Sequence, residues 1–181
     1  MSTANAPTTP DPSTTQPLGP STTGPRVIPP GDGVRLAAGA VQMSLLVTSD
    51  HGDRFSLIDY QVPPTFAAPP VLHHHTREDW AAYVLDGQLT FVFADGEVDA
   101  PAGTTVFVPA GTDFAWRNDQ ERPARYLAVH APAGFDRFFV DVAEAISDRR
   151  SGPTPELMRQ VIPPLWERYG IEPGGTRDAD R

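Results

Sequence analysis

Pro69-Pro-Val-Leu-His-His-His-Thr-Arg-Glu-Asp-Trp-Ala-Ala-Tyr-Val-Leu-Asp-Gly87 is followed, sixteen residues on, by Gly103-Thr-Thr-Val-Phe-Val-Pro-Ala-Gly-Thr-Asp-Phe-Ala-Trp-Arg-Asn118. Both stretches are short apolar runs cut by Gly, Pro and Asp, which punctuate strands. Ala81–Leu85 and Gln88–Phe93 flank Asp86-Gly87, a dipeptide that predicts a hairpin turn, and Ala94-Asp-Gly96 predicts a second turn. Thr104–Val108 reads as a strand stopped by Pro109-Ala-Gly111. Working outward, Val41–Val47, Phe55–Val62 and Arg125–His130 read as strands, with Ser49–Asp53 a polar turn. Many short strands with turns about every ten residues imply an all-β sandwich or barrel.

After Gly134 the period changes. Phe135, Phe138, Phe139, Val142, Ala143 and Ile146 recur at helical spacing, and the Phe135–Phe139 stripe reads as a helix face packed on the barrel. A second helical segment follows Pro155, and Pro163-Pro164 is expected to break or kink it before Gly170 stops it. The first 30 residues hold eight Pro, seven Thr and three Ser, with Asp11 and Arg26 the only charges. Such a stretch cannot bury enough apolar surface to offset its chain entropy. The expected organisation is a disordered tail over 1–30, a barrel over 31–133 and a helical extension over 134–181.

Composition narrows function by exclusion. The chain has 181 residues and a net charge of -9; all 14 basic residues are Arg, and Lys and Cys are absent. No Schiff-base lysine, thiol nucleophile, disulfide, zinc finger or iron–sulfur site is open to it. The acidic balance argues against nucleic acid and anionic membranes as partners. No apolar run reaches the roughly 18 residues of a membrane span, and MSTANAPTTPDPSTTQP lacks the regions of a signal peptide, so a soluble, cytoplasmic protein is expected. No Gly-x-Ser-x-Gly elbow is present, and Gly174-Gly175 is too bare for a phosphate loop.

The two opening stretches together resemble the paired motifs of the cupins, in particular the small single-domain, quercetin-dioxygenase-like type. His73, His75 and Gly87 fit the first motif; Gly103, Pro109, Gly111 and Asn118 fit the second. Ala133–Phe139 and Arg168–Ile171 are similar to the tail of such proteins. The resemblance covers roughly residues 33–171. It implies a double-stranded β-helix (jelly-roll) barrel with one or two C-terminal helices, and a homodimer. It also implies a divalent metal held inside the barrel by three His and one Glu. Here the Glu position, seven before Gly87, holds Trp80, and the third His position, three after Gly111, holds Phe114. Indole and phenyl do not coordinate, so a metal would be left with two imidazoles. Asp79 and Asp113 are adjacent but point to the other face by strand alternation, as does His74 against His73 and His75. Glu78 has the right parity but falls in the turn, and Arg77-Glu78-Asp79 reads as an exposed, charged hairpin tip. A third ligand needs a local rearrangement, with Asp59 or Tyr60 of the preceding strand as sources.

The site that remains is an aromatic-lined interior. Trp80, Ala82 and Val84 share one face, and Phe114 and Trp116 the matching face of the second motif, with Tyr60 a further candidate for the lining. Tyr83, Tyr126 and His130 read as structural, and His51 as a solvated turn residue. Such an interior suits a flat, apolar or aromatic ligand with a few polar atoms, and imidazoles serve as acid and base near neutral pH. The leading expectation is an enzyme without cofactor that isomerises, cyclises or dehydrates an aromatic or polyketide-like molecule, with His73 and His75 as acid and base. Trp80, Ala82, Phe114, Trp116 and Tyr60 would bind the substrate. The alternatives are a dioxygenase whose Fe, Ni, Mn or Zn is held by His73, His75 and an unforeseen ligand, and a non-catalytic binder of an apolar metabolite.

Overall fold

The computed structural model of the chain describes residues 25–67, 72–147 and 154–175. The first 24 residues of the expected tail, and Pro69, Pro70 and Val71 of the first motif, lie outside them. Among the described residues, twelve strands and two helices follow in order. They are β1 (Val34–Ala38), β2 (Val41–Val47), β3 (Ser56–Val62), β4 (Phe66–Ala67), β5 (His73–His75), β6 (Asp79–Asp86) and β7 (Gln88–Phe93). Then come β8 (Gly96–Pro101), β9 (Thr105–Val108), β10 (Phe114–Asn118), β11 (Ala124–Ala131), α1 (Asp136–Ser147), α2 (Pro155–Tyr169) and β12 (Ile171–Pro173).

Two antiparallel sheets form. One runs β1-β2-β3-β11-β6-β9; the other runs β12-β5-β10-β7-β8, with β4 on β10. Period-2 alternation carries the core: in β11 Ala124, Tyr126, Ala128 and His130 are buried while the residues between them are not, and β6 alternates likewise from Trp80 to Val84. The inward rows are side-chain ladders across the first sheet. Ser56, His130, Trp80 and Val108 make one row; Ile58, Ala128, Ala82 and Val106 make the next. Across the second sheet, Pro173, His73, Phe114 and Phe93 align.

Asp86-Gly87 does not form the expected hairpin. β6 pairs with β11 and β9, whereas β7 pairs with β10 and β8, so these two residues carry the chain from one sheet to the other. Gly87 has φ 75°, and a β-carbon there would stand 2.6 Å from the Pro123 carbonyl oxygen. The close crossing of two backbones, not a hairpin, is what requires glycine. The hairpin lies one turn later, at Ala94-Asp95, where Phe93 faces Gly96.

The double proline does not break α2, which runs unbroken through Pro163 and Pro164. Both are exposed, so the carbonyls their missing N–H groups would have engaged are free to meet water. Thr154 caps the start by accepting from the Leu157 N–H, and Gly170 ends the helix in the left-handed conformation. The chain then returns to the barrel as β12, beside β5. No helix of the described residues is long and apolar enough to cross a membrane.

Candidate functional site

His73 and His75 lie on the inward face of β5, with their ring centroids 5.6 Å apart. Both are buried. The intervening His74 points outward, as its parity requires, and its Nδ1 lies 2.8 Å from Asp113 Oδ1. That contact helps hold the Asp113 carboxyl below its ordinary value. The position of β5 is fixed from three sides. β12 runs along one edge, Phe114 of β10 sits opposite His73, and the Gly111 N–H donates to the His75 carbonyl at 2.8 Å. The turn of the second motif is also tied to β6, since Ala110 N–H donates to Asp79 Oδ1. The two motifs are thus laced together by hydrogen bonds from the backbone N–H groups of Ala110 and Gly111, which fixes where the two imidazoles stand.

Glu78 corrects the expectation of an exposed tip. It is 5% exposed, and its Oε1 lies 2.5 Å from Nδ1 of His75, itself buried to the same degree. A carboxylate is buried this deeply only with a partner, and His75 three residues earlier supplies one. With Nδ1 engaged by Glu78, Nε2 is the remaining ring nitrogen of His75. A carboxylate on Nδ1 orients the ring and favours the tautomer with the proton on Nδ1 and the lone pair on Nε2.

Rings close around the imidazoles. Phe114 lies 4.9 Å from His73, 5.8 Å from His75 and 5.1 Å from Trp80. Trp166 of α2 stacks on His73 at 5.6 Å, and Phe135, immediately before α1, lies 4.5 Å from His75. His130 stacks on Phe135 at 4.6 Å and lies 6.1 Å from His75. Burial, and then the charge of His75, push the His130 imidazole well below its ordinary value, which keeps it neutral.

The structure therefore brings His73, His75, Trp80 and Phe114 together. Ala82 is buried one row beyond Trp80. Trp116 contacts Tyr126 and Phe66. Tyr60 is stacked face to face on Tyr126 at 4.6 Å and edge-on to Phe139. Both belong to an adjoining aromatic layer, linked to the site through the Trp80–Tyr126 contact at 6.2 Å. Burial raises the hydroxyl pKa of Tyr60 and Tyr126 well above the ordinary value. Glu78, His130, Trp166 and Phe135 are the neighbours of the pair that sequence reasoning did not place there. The shared parity of His130 with Tyr126 and Ala128 was the available signal for its inward face.

The donor set does not suit a divalent ion. The positions that would complete a ligand sphere hold Trp80 and Phe114, and the carboxylate that does reach His75 is spent on Nδ1. Asp59, a candidate third ligand, pairs with Arg125 instead, at 2.6 Å, and that bond raises the Arg125 guanidinium. Tyr60 is held in its stack. Among the described residues, no group of three or more His, Cys, Asp or Glu is placed to hold a metal.

Comparison with known proteins bears on the fold. Residues 60–130 match the family described as the Cupin domain. No curated protein matches the chain. Among solved structures, KdgF from Halomonas sp. superposes with a TM-score of 0.56 at 12% identity, over 63% of this chain and 99% of that one. A predicted oxalate decarboxylase from Thermotoga maritima gives 0.52 at 22% identity, over 59% and 99%. The polyketide cyclase RemF from Streptomyces resistomycificus is matched at 24% identity over 51% of this chain, with a TM-score of 0.46, too loose to bear on chemistry. This chain spans 65% of that cyclase's length. The two-sheet barrel with its paired motifs is the cupin fold.

Proposed function

We propose that the protein is a metal-independent enzyme that moves protons on an aromatic or polyketide-like small molecule inside the barrel, as an isomerase, cyclase or dehydratase. The observation that carries this reading is the buried Glu78–His75 pair beside His73, the two imidazoles standing where the cupin motifs place ligands. In this reading the metal site has been given up to Trp80 and Phe114, and acid–base chemistry remains. His75 Nε2 takes a proton from carbon next to a carbonyl. The C–H electron pair moves into the new double bond, and the carbonyl oxygen accepts a proton from His73. Glu78 stabilises the imidazolium that forms on His75. Trp80 and Phe114 hold the ring of the substrate and keep water away. A flat substrate ring takes the place of Trp166 against His73, exchanging one stacking contact for another. The partner proposed for the outer face of the barrel is a second copy of the chain.

2-Tetralone, a bicyclic aromatic ketone with acidic α-hydrogens, tests the chemistry. In D2O the protein is expected to accelerate deuterium entry at the α-carbon, followed by proton NMR. His75→Ala and Glu78→Gln should each slow that entry by about 10²-fold or more, the usual scale of a positioned general base. His75→Ala at the wild-type rate would sink the role of His75.

The burial of both imidazoles also favours a second reading, a binding module that holds an aromatic metabolite without changing it. It predicts 2-tetralone binding by calorimetry with no deuterium entry above the buffer rate.

A further inference from the structure

His130 and Ser56 lie directly opposite each other on β11 and β3, in the inward row that continues to Trp80. Both are fully buried. The Ser56 hydroxyl and both ring nitrogens of His130 have no hydrogen-bond partner among the described residues. Buried polar atoms without partners are uncommon in folded chains, because burial removes their water bonds and returns nothing. Two such groups facing each other across one strand pair are a built recognition surface.

The chemistry of the surface limits what it takes. A neutral imidazole offers one donor and one acceptor, and a hydroxyl offers one donor and two acceptor lone pairs. Burial keeps the imidazole uncharged, so an anion finds no counter-charge. Glu78 is engaged by His75, so a cation finds no free carboxylate there. A neutral oxygen, hydroxyl or carbonyl, satisfies both groups. The neighbours are rings: Phe135 stacks on His130, and Trp80 is its cross-strand neighbour on the other side. The oxygen is therefore one carried by an aromatic skeleton. Since His73 serves the reacting oxygen, it is a second one.

We infer that Ser56 and His130 form an oxygen-binding subsite, and that the ligand of this barrel is an aromatic molecule bearing two oxygens, one at the His73–His75 pair and one between Ser56 and His130. The inference rests on the reading of the His73–His75 pair as ligand-facing.

Calorimetry on the full chain with 2-naphthol, 1,3-dihydroxynaphthalene and 2,7-dihydroxynaphthalene tests it. At least one dihydroxy compound should bind about tenfold more tightly than 2-naphthol. The advantage should shrink in Ser56→Ala and vanish in His130→Phe. Free of ligand, His130→Phe should melt at or above the wild-type temperature at pH 7.5, because it replaces unpartnered polar atoms with an apolar ring.

Equal binding of all three compounds to the wild type would overturn the subsite, as would a dihydroxy advantage that survives in His130→Phe. A clear drop in the ligand-free melting temperature of His130→Phe, with no dihydroxy advantage in the wild type, would assign these atoms to an internal water instead. Failure of the catalytic reading is separately visible. A dihydroxy advantage with no deuterium entry into 2-tetralone keeps the subsite on a binding module. Deuterium entry without the advantage keeps the enzyme and removes the subsite.

Discussion

His75 and Glu78 are stable inside the barrel only as a pair, since either alone would leave a buried polar group without its partner. His130 has no such partner, and this gives it a measurable signature. Its imidazole is pushed down by burial in the folded chain, whereas in the unfolded chain it titrates near the ordinary 6.5. The unfolded chain therefore takes up the proton first as the pH falls. Folding stability should decline from about pH 6.5 downward and keep falling until the lowered pKa of the folded state is reached, at up to about 1.4 kcal/mol per pH unit for one proton. Urea unfolding of the wild type and His130→Phe between pH 7.5 and 5 isolates this contribution, since every other group is shared. The wild-type curve should be steeper by close to one proton. Parallel curves would mean that His130 is charged, or solvated, in the folded chain. At this scale the sequence was legible where one strand's alternation decides the matter. His73, His75, Trp80 and Phe114 all face inward as their spacing from Gly87 and Gly111 requires. It was not legible for Glu78, because a charged residue in a turn reads as solvated unless its partner's position is known.

Elements are legible in the sequence where the signal is local and not where pairing partners are distant. Asp86-Gly87 carries the dipeptide of a hairpin, yet the same left-handed glycine also suits a corner between sheets. Which of the two forms is decided by pairing with β11 and β10, strands that come after at least two further strands in the chain. β12 leaves no mark in the sequence, because a three-residue strand has no period of its own. It exists because α2 delivers it to the edge of β5. The hinge of that delivery is Gly170, with φ 70°. Its carbonyl accepts from both the Thr76 N–H and the Thr76 hydroxyl, at 2.8 and 2.9 Å, in the turn that leads to Glu78. A β-carbon there would lie 2.5 Å from the Thr76 hydroxyl and 2.8 Å from Arg77 Nε. Gly170→Ala should cost about 1–2 kcal/mol for the left-handed backbone alone, read as a lower urea midpoint with an unchanged slope. Because Thr76 and Arg77 must shift to admit the methyl group, deuterium entry into 2-tetralone should fall more than the lost stability explains. A variant with wild-type stability would show that the C-terminal strand is not held through this residue.

The whole molecule is acidic, with a net charge of -9, so two copies repel unless they meet on an apolar face. The outer side of the first sheet offers one. Leu57, Val129, Ala81 and Phe107 form a row across it, and Leu127 and Tyr83 lie in the next. Phe107 is 60% exposed and Tyr83 46%. Two carboxylates lie on this face: Asp59 is paired with Arg125, and Asp79, two residues before Ala81, accepts from the Ala110 N–H. Large rings left in water, with the carboxylates around them already hydrogen-bonded, are the composition of an interface core with a polar rim. A two-fold axis through the face would bring Phe107 of each copy against the apolar row of the other, since such an interface is self-complementary. A second copy is therefore the proposed partner, and β9, at the sheet's edge, is where it is most easily disturbed. Sedimentation velocity should give a dimer for the wild type. Phe107→Arg should give a monomer, because it places a charge with no partner in the buried centre. The variant's barrel should stay folded, since this side chain is already exposed. A wild-type monomer at micromolar concentration, or a Phe107→Arg dimer, would remove this face from the assembly. The site would be untouched by that result, because His73, His75 and Glu78 face the barrel interior of a single chain.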